Sequence, residues 1–283
     1  MLDIVGPDQL VVVANTGDDL EIYGGYVSPD PDLVTFWLAD SIDRRGWGLR
    51  DDTFAVMGGL RSLGVDVWFN LGDRDLAVAI ERARMLASGR RLTEAQAAIG
   101  AALGVTARVL PMSDGPVRTR VQAHRRWWPF QEFMISGRAE GPVDDVEFAG
   151  ARAAKASPEV LEAIAGARAI VVGPSNPVIS IGPILALPDL LDHLRASPAA
   201  VVAVSPVVRG QVLKPATVPF MEWAGHPVSS AGVAAYYAGV IDGFVCDEPL
   251  DGLPVLKTDV LMEGAHGRRR LAKEALEFAL SLR

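Results

Sequence analysis

The chain predicts an α/β fold: a Rossmann-like, three-layer, mostly parallel sheet carrying a small antiparallel insertion. Three observations predict it. Short β-branched runs recur, helical periodicity fills the gaps between them, and one central stretch breaks that rhythm. The runs are VVVA (11–14), VDVWF (65–69), ARAIVVG (167–173), AAVVAVS (199–205) and DGFVCD (242–247). Between them, Leu76, Ile80, Ala83 and Leu86 fall on one helical face, as do Leu271, Ala275, Phe278 and Leu282 near the end. Strands alternating with helices imply a sheet covered on both faces. From about 105 to 150, RVLPM, VRTRVQAH, QEFMISG and VEFAG read as short strands separated by turn residues, an antiparallel insertion within a single domain spanning 1–283.

Composition bounds the function. Of 283 residues, 49% are hydrophobic and 22% charged, and the formal net charge of −8 argues against a basic nucleic-acid-binding face. The one cysteine, Cys246, excludes an internal disulfide framework and fits a reducing cytosol. No apolar run approaches the roughly 20 residues that span a bilayer, and MLDIVGPDQ lacks the basic-then-apolar plan of a secretory signal. A cytoplasmic protein that engages neither membrane nor nucleic acid is expected.

The first strand runs directly into NTGDD (15–19), followed by SPDPD (28–32). A strand ending in a polar turn delivers side chains to the carboxyl edge of an open sheet, where ligands bind. Asp18, Asp19, Asp30 and Asp32 crowd that edge, and such crowding calls for a cation, either a hard divalent metal or solvent counterions on an acidic loop. LGDRDLA (71–77) opens a helix, where Asp73 serves as a cap or Arg74 reaches a phosphate. GPSNPVISIGPI (173–184) turns from strand to helix, offering Ser175, Asn176 and backbone N–H groups as an anion cradle or a capped turn. MSDGPVRT (112–119) adds Ser113, Asp114, Arg118 and Thr119 around a turn. The aromatics Phe36, Trp37, Trp127, Trp128 and Phe130 are expected in the core. No GxSxG elbow, HExxH helix, P-loop or GxGxxG appears, and the four histidines have no metal spacing.

In order, NTGDD, SPDPD, DSIDRRGWGLRDDTF (40–54), LGDRDLA, LPMSDGPVRT, FQEF, GPSNPVISIGPIL, VSPVV and SSAGVAAYY resemble the 2-phospho-L-lactate transferase family over nearly the whole chain. The resemblance implies a Mg²⁺-dependent, homodimeric transferase of coenzyme F-420 biosynthesis. Such an enzyme moves a phospholactyl or phosphoenolpyruvyl group from a guanosine diphospho donor to the ribityl hydroxyl of the deazaflavin Fo, releasing GMP. It further implies that Asp19 and Asp32 hold the metal and orient or deprotonate the hydroxyl. Asn15, Thr16, Asp73 and Arg74 then lie toward the deazaflavin or phosphates, and Ser175, Asn176 and Pro177 toward the guanosine donor. Ser113, Asp114 and Thr119 form a further pocket loop. Family members begin with a strand and a GGxGGxK-like loop, whereas here Met1 stands ten residues before the VVVA strand. A truncated, inactive paralogue is therefore one alternative expectation. The other is a non-catalytic nucleotide or nucleotide-sugar binder related to the gluconeogenesis-factor family, against which LEIYGG after Asp19 and the GDRD motif both speak.

Overall fold

The computed structural model describes residues 1–282. Helix α1 (Leu2–Val5) leads into strand β1 (Val11–Ala14), and the acidic turn is followed by a hairpin of β2 (Leu20–Ile22) and β3 (Gly25–Val27). Helices α2 (Pro29–Leu38), α3 (Ala55–Ser62), α4 (Asp73–Ala87) and α5 (Leu92–Ala102) precede β4 (Arg108–Pro111). Then come β5 (Arg118–Ala123), β6 (Arg126–Pro129), α6 (Phe130–Ile135) and β7 (Val143–Ala149). Helix α7 (Pro158–Ala165) and β8 (Ile170–Val172) run into a π-type turn at Pro177–Ile181, continued by α8 (Gly182–Leu185) and α9 (Pro188–Ala196). The remainder is β9 (Val201–Val204), a hairpin of β10 (Val207–Val208) and β11 (Gln211–Val212), α10 (Thr217–Trp223), α11 (Ser230–Tyr236), β12 (Gly243–Cys246), β13 (Val255–Lys257) and α12 (Gly264–Ser281).

Parallel strands and small antiparallel sheets coexist, as the alternation predicts. The parallel strands form two ladders, β1–β4 and β13–β12–β9–β8. Strands β9 and β12 are buried along their whole length, which is why they read as continuous apolar runs. Val202, Val204 and Val245 face Leu271, Ala275 and Ala279 of α12. On the opposite face, Ala203, Phe244 and Cys246 meet Val178, Phe220, Val233 and Tyr237. Each large apolar side chain buried this completely contributes about 1.5–3 kcal/mol. The antiparallel sheet β6–β5–β7 leans its Val121, Ala123, Val143 and Val146 on the same cluster.

Several expectations are corrected. VDVWF forms no strand, because its β-branched residues find no pairing partner among the described residues. RVLPM is β4, the parallel neighbour of β1, so the antiparallel insertion begins only at Arg118. QEFMISG is mostly helix α6, which buries Phe133. Trp37 is 48% exposed, with Arg268 stacked 5.4 Å from its ring, while Phe36 is core as expected. On α4 the buried face is Leu76, Ala79, Arg82 and Met85, leaving Ile80 exposed. That rotation puts a charged residue inside, a choice that apolar periodicity cannot register. It also brings Ala79 against β3 so closely that a Cβ on Gly25 would lie 2.8 Å from the Ala79 Cβ.

Among the described residues no single helix is long and apolar enough to cross a membrane; one bent pair, Pro177–Leu185 with Pro188–Ala196, passes by length and composition only.

Candidate active site

Strand β1 ends at Ala14 and the chain folds into a tight turn closed by Asn15, whose Oδ1 accepts the Gly17 N–H at 2.7 Å. This Asx turn frees the Asn15 amide to donate from Nδ2 to Asp18 Oδ1 at 2.9 Å, to Asp30 Oδ2 at 3.2 Å and to the Ile179 carbonyl at 3.4 Å. Three distant segments thus meet on one carboxamide: the end of β1, the first turn of α2, and the π-type turn after β8. Gly17 is required by close approach, since a Cβ there would lie 2.6 Å from Thr119 Oγ1 and 2.9 Å from Asn15 Oδ1.

The four acids divide into two kinds. Asp18 and Asp30 face each other across Asn15. Burial, then the Asp30 charge, pushes the Asp18 carboxyl well above its ordinary range, and burial raises Asp30 as well. A buried and a half-buried carboxylate meeting at one amide nitrogen need one positive charge between them, a proton or a hard cation. Asp19 accepts from Ser28 Oγ at 2.7 Å and Tyr26 OH at 3.0 Å, and burial lifts it to about 7 against the pull of those bonds and of Arg118. Asp32 is clasped by Arg82, a fully buried guanidinium that takes both carboxylate oxygens. The same Arg82 Nη1 donates to the Tyr26 carbonyl at 2.9 Å, and Nη2 reaches Gln96 Oε1 at 3.3 Å. Both oxygens of Asp19 and of Asp32 thus accept bonds within the protein, whereas Asp18 and Asp30 each place one oxygen on the Asn15 amide.

A cleft of about 530 Å³ opens over this turn. Gly17, Asp18 and Asp19 form one side, Arg118 and Thr119 of β5 another, and Trp68 and Phe130 supply aromatic surface. Thr16 and Thr119 are buried with hydroxyls that have no partner among the described residues. Among the described residues no three of His, Cys, Asp or Glu converge as a metal cage.

The other anticipated residues lie elsewhere. Asp73 caps α3, accepting from Val56 N at 2.9 Å, Ala55 N at 3.0 Å and Thr53 Oγ1 at 2.5 Å. Arg74 is exposed and bonds the Arg50 carbonyl at 3.0 Å. Ser113 Oγ donates to the Lys155 carbonyl, and Asp114 caps α5 through Thr93 N at 2.8 Å. These four hold loops together and do not line the cleft. Asn176 Oδ1 accepts from Val178 N and Ile179 N, which sets the turn that hands the Ile179 carbonyl to Asn15. Pro177 is buried beside it and Ser175 is exposed. Sequence reading gives no place to Tyr26, Arg82 or Trp68, and it leaves Arg118 as part of a turn. Only Arg118 carries a signal. It stands immediately before Thr119, in a stretch whose alternate residues Val117, Thr119 and Val121 are buried.

Asp75, in the first turn of α4, has its carboxyl raised to about 7 by burial and by the charges of Asp52 and Asp32. In the unfolded chain it titrates near 4, so the fold holds its proton longer. Stability therefore falls as pH rises from about 4 to about 7 and is level above. Asp75→Asn is expected to melt higher than wild type at pH 8, the difference closing by pH 4 in parallel thermal melts. A pH-independent difference would remove the charge argument.

The model of one family, described as 2-phospho-L-lactate transferase CofD, matches residues 4–253. The chain belongs to that family. It is 40% identical to the 2-phospho-L-lactate transferase of Methanosarcina mazei over 247 residues, which is 87% of this chain and 81% of the relative. It is 35% identical to the phosphoenolpyruvate transferase of Kitasatospora aureofaciens over 300 aligned positions, covering 100% of this chain and 94% of the relative. The fold resembles a crystal structure of a UPF0052 family protein from Bacillus halodurans, with TM-score 0.54 and 17% identity over 92% of this chain and 81% of the other. Membership in the 2-phospho-L-lactate transferase family makes the chain a transferase. It also accounts for a cleft with carboxylates and a guanidinium but no Ser–His or Cys–His pair, since phosphoryl transfer needs positioning and charge neutralisation, not a protein nucleophile.

Proposed function

We propose that the chain transfers a phospholactyl or phosphoenolpyruvyl group from a guanosine diphospho donor to the terminal ribityl hydroxyl of Fo, releasing GMP, in the cytoplasm and as a homodimer. The observation that carries this reading is the acidic turn along the cleft, where Asp18 and Asp19 line it beside Trp68 and Phe130 and Asn15 ties Asp18 to Asp30 behind. The acceptor oxygen forms a bond to the donor's distal phosphorus while the bridging P–O bond breaks. GMP departs with that electron pair on its phosphate. The hydroxyl proton passes to a carboxylate, for which Asp19 is suited because its carboxyl titrates near 7 and lines the cleft. Asp18 and Asp30, which each accept through a single oxygen, are the residues that would hold Mg²⁺, in preference to Asp19 and Asp32, both of whose oxygens accept bonds within the protein. Mg²⁺ would neutralise the charge on the diphosphate. Trp68 and Phe130 offer the flat apolar surface that a deazaflavin ring needs.

The test is incubation of the purified chain with Fo, Mg²⁺ and either the lactyl or the enolpyruvyl donor, followed by chromatography for GMP and phosphorylated Fo. Equimolar appearance of both products is expected. GDP and Fo binding without turnover by either donor would favour the nucleotide-binder reading.

A further inference from the structure

Several arginines of the protein, including Arg120 of the cleft, are committed to carboxylates. Arg82 is clasped by Asp32. Arg91 bonds Glu159 at 2.6 Å and Asp114 at 3.1 Å, and Arg120 bonds Glu147 at 3.1 Å. Arg118 differs. It lines the cleft half-buried, and among the described residues no carboxylate stands within ion-pair distance of it. Its guanidinium is nonetheless held in place. Nη1 donates to the Val117 carbonyl at 2.7 Å, Nη2 donates to Tyr26 OH at 3.2 Å, and the group lies 5.6 Å from the Tyr26 ring centroid. Two of the five guanidinium N–H groups are used in this way, and the remainder have no acceptor among the described residues.

A positioned guanidinium with no carboxylate in direct contact, bordering a cleft, is a receptor for a planar or tetrahedral oxyanion. Tyr26 fixes its distance from the acids, because the same hydroxyl that accepts from Arg118 donates to Asp19. The cleft is therefore bipolar, with carboxylates on the β1 side and one uncommitted cation on β5. We propose that Arg118 binds the oxygens of the phosphoryl group being transferred, in the cleft that Asp18 and Asp19 also line. This rests on the transferase reading above and adds to it the residue that recognises the donor's distal phosphate. Arg118 thereby separates diphosphate from monophosphate nucleotides, holding the donor and releasing GMP.

Calorimetric titration with GDP and with GMP, in Mg²⁺, tests it. GDP carries a distal phosphate and GMP does not. Arg118→Gln is expected to weaken GDP binding about 10- to 100-fold, the range for a lost hydrogen bond to a charged group, and to change GMP affinity less than about twofold. Arg118→Lys keeps a point charge without the fork and is expected to fall between, as is Tyr26→Phe, which keeps the arginine but loosens it. Thermal melting accompanies each variant; if Arg118→Gln does not fold, Arg118→Lys carries the comparison. Equal losses for GDP and GMP, or unchanged GDP affinity in a folded variant, would overturn the assignment of Arg118 alone. Failure of the wild-type chain to bind GDP at all would overturn the transferase reading and this inference with it.

Discussion

Arg82→Met is expected to destabilise the protein by about 3–5 kcal/mol, the cost of stranding one partner of a buried ion pair. The substitution leaves the Asp32 carboxylate, itself only 9% exposed, without its cation. It also removes the bonds to the Tyr26 carbonyl and Gln96 Oε1, so α4, α5, the β2–β3 hairpin and α2 lose a common tie. Urea unfolding measures the effect as a lowered midpoint. The double variant Arg82→Met with Asp32→Leu is expected to regain much of the loss, because an apolar pair of similar volume has no charge to desolvate. A midpoint unchanged in Arg82→Met would mean that the Arg82–Asp32 contact does not hold the fold.

Asp18→Asn is expected to move activity and stability in opposite directions. It removes the cost of keeping a proton on the buried Asp18 carboxyl without altering volume, so the melting temperature at neutral pH rises in the absence of metal. The same change removes a carboxylate proposed above as a cation ligand, and turnover is expected to fall about 10²–10³-fold, as when a positioned electrostatic stabiliser is lost. Melting with and without Mg²⁺ separates the acids. Wild type gains stability from the cation, while Asp18→Asn and Asp30→Asn do not. If those two variants keep the Mg²⁺ gain and Asp19→Asn loses it, the cation belongs at Asp19.

Much of this is legible in the sequence. VVVAN followed by paired acids is strand, turn and charge in the order that a sheet edge requires, and AAVVAVS reads as a buried strand because no polar residue interrupts its apolar run. What stays hidden is physically specific. Asp18 and Asp19 are adjacent and chemically identical, and only the Asx turn decides which one faces Asp30 and which one Ser28. Arg82 looks like a break in an apolar stripe, since its reason for burial lies fifty residues away in Asp32. VDVWF has the composition of a strand, but pairing is a property of neighbours that composition does not contain.

The carboxamide of Asn15 touches Ile179 across 164 residues, and Arg118 meets Tyr26 across 92. Contacts of such sequence separation form only after most of the chain has been brought together, while helices form locally and early. Refolding from urea should therefore restore far-ultraviolet dichroism before it restores GDP affinity, making ligand binding a late clock for the fold.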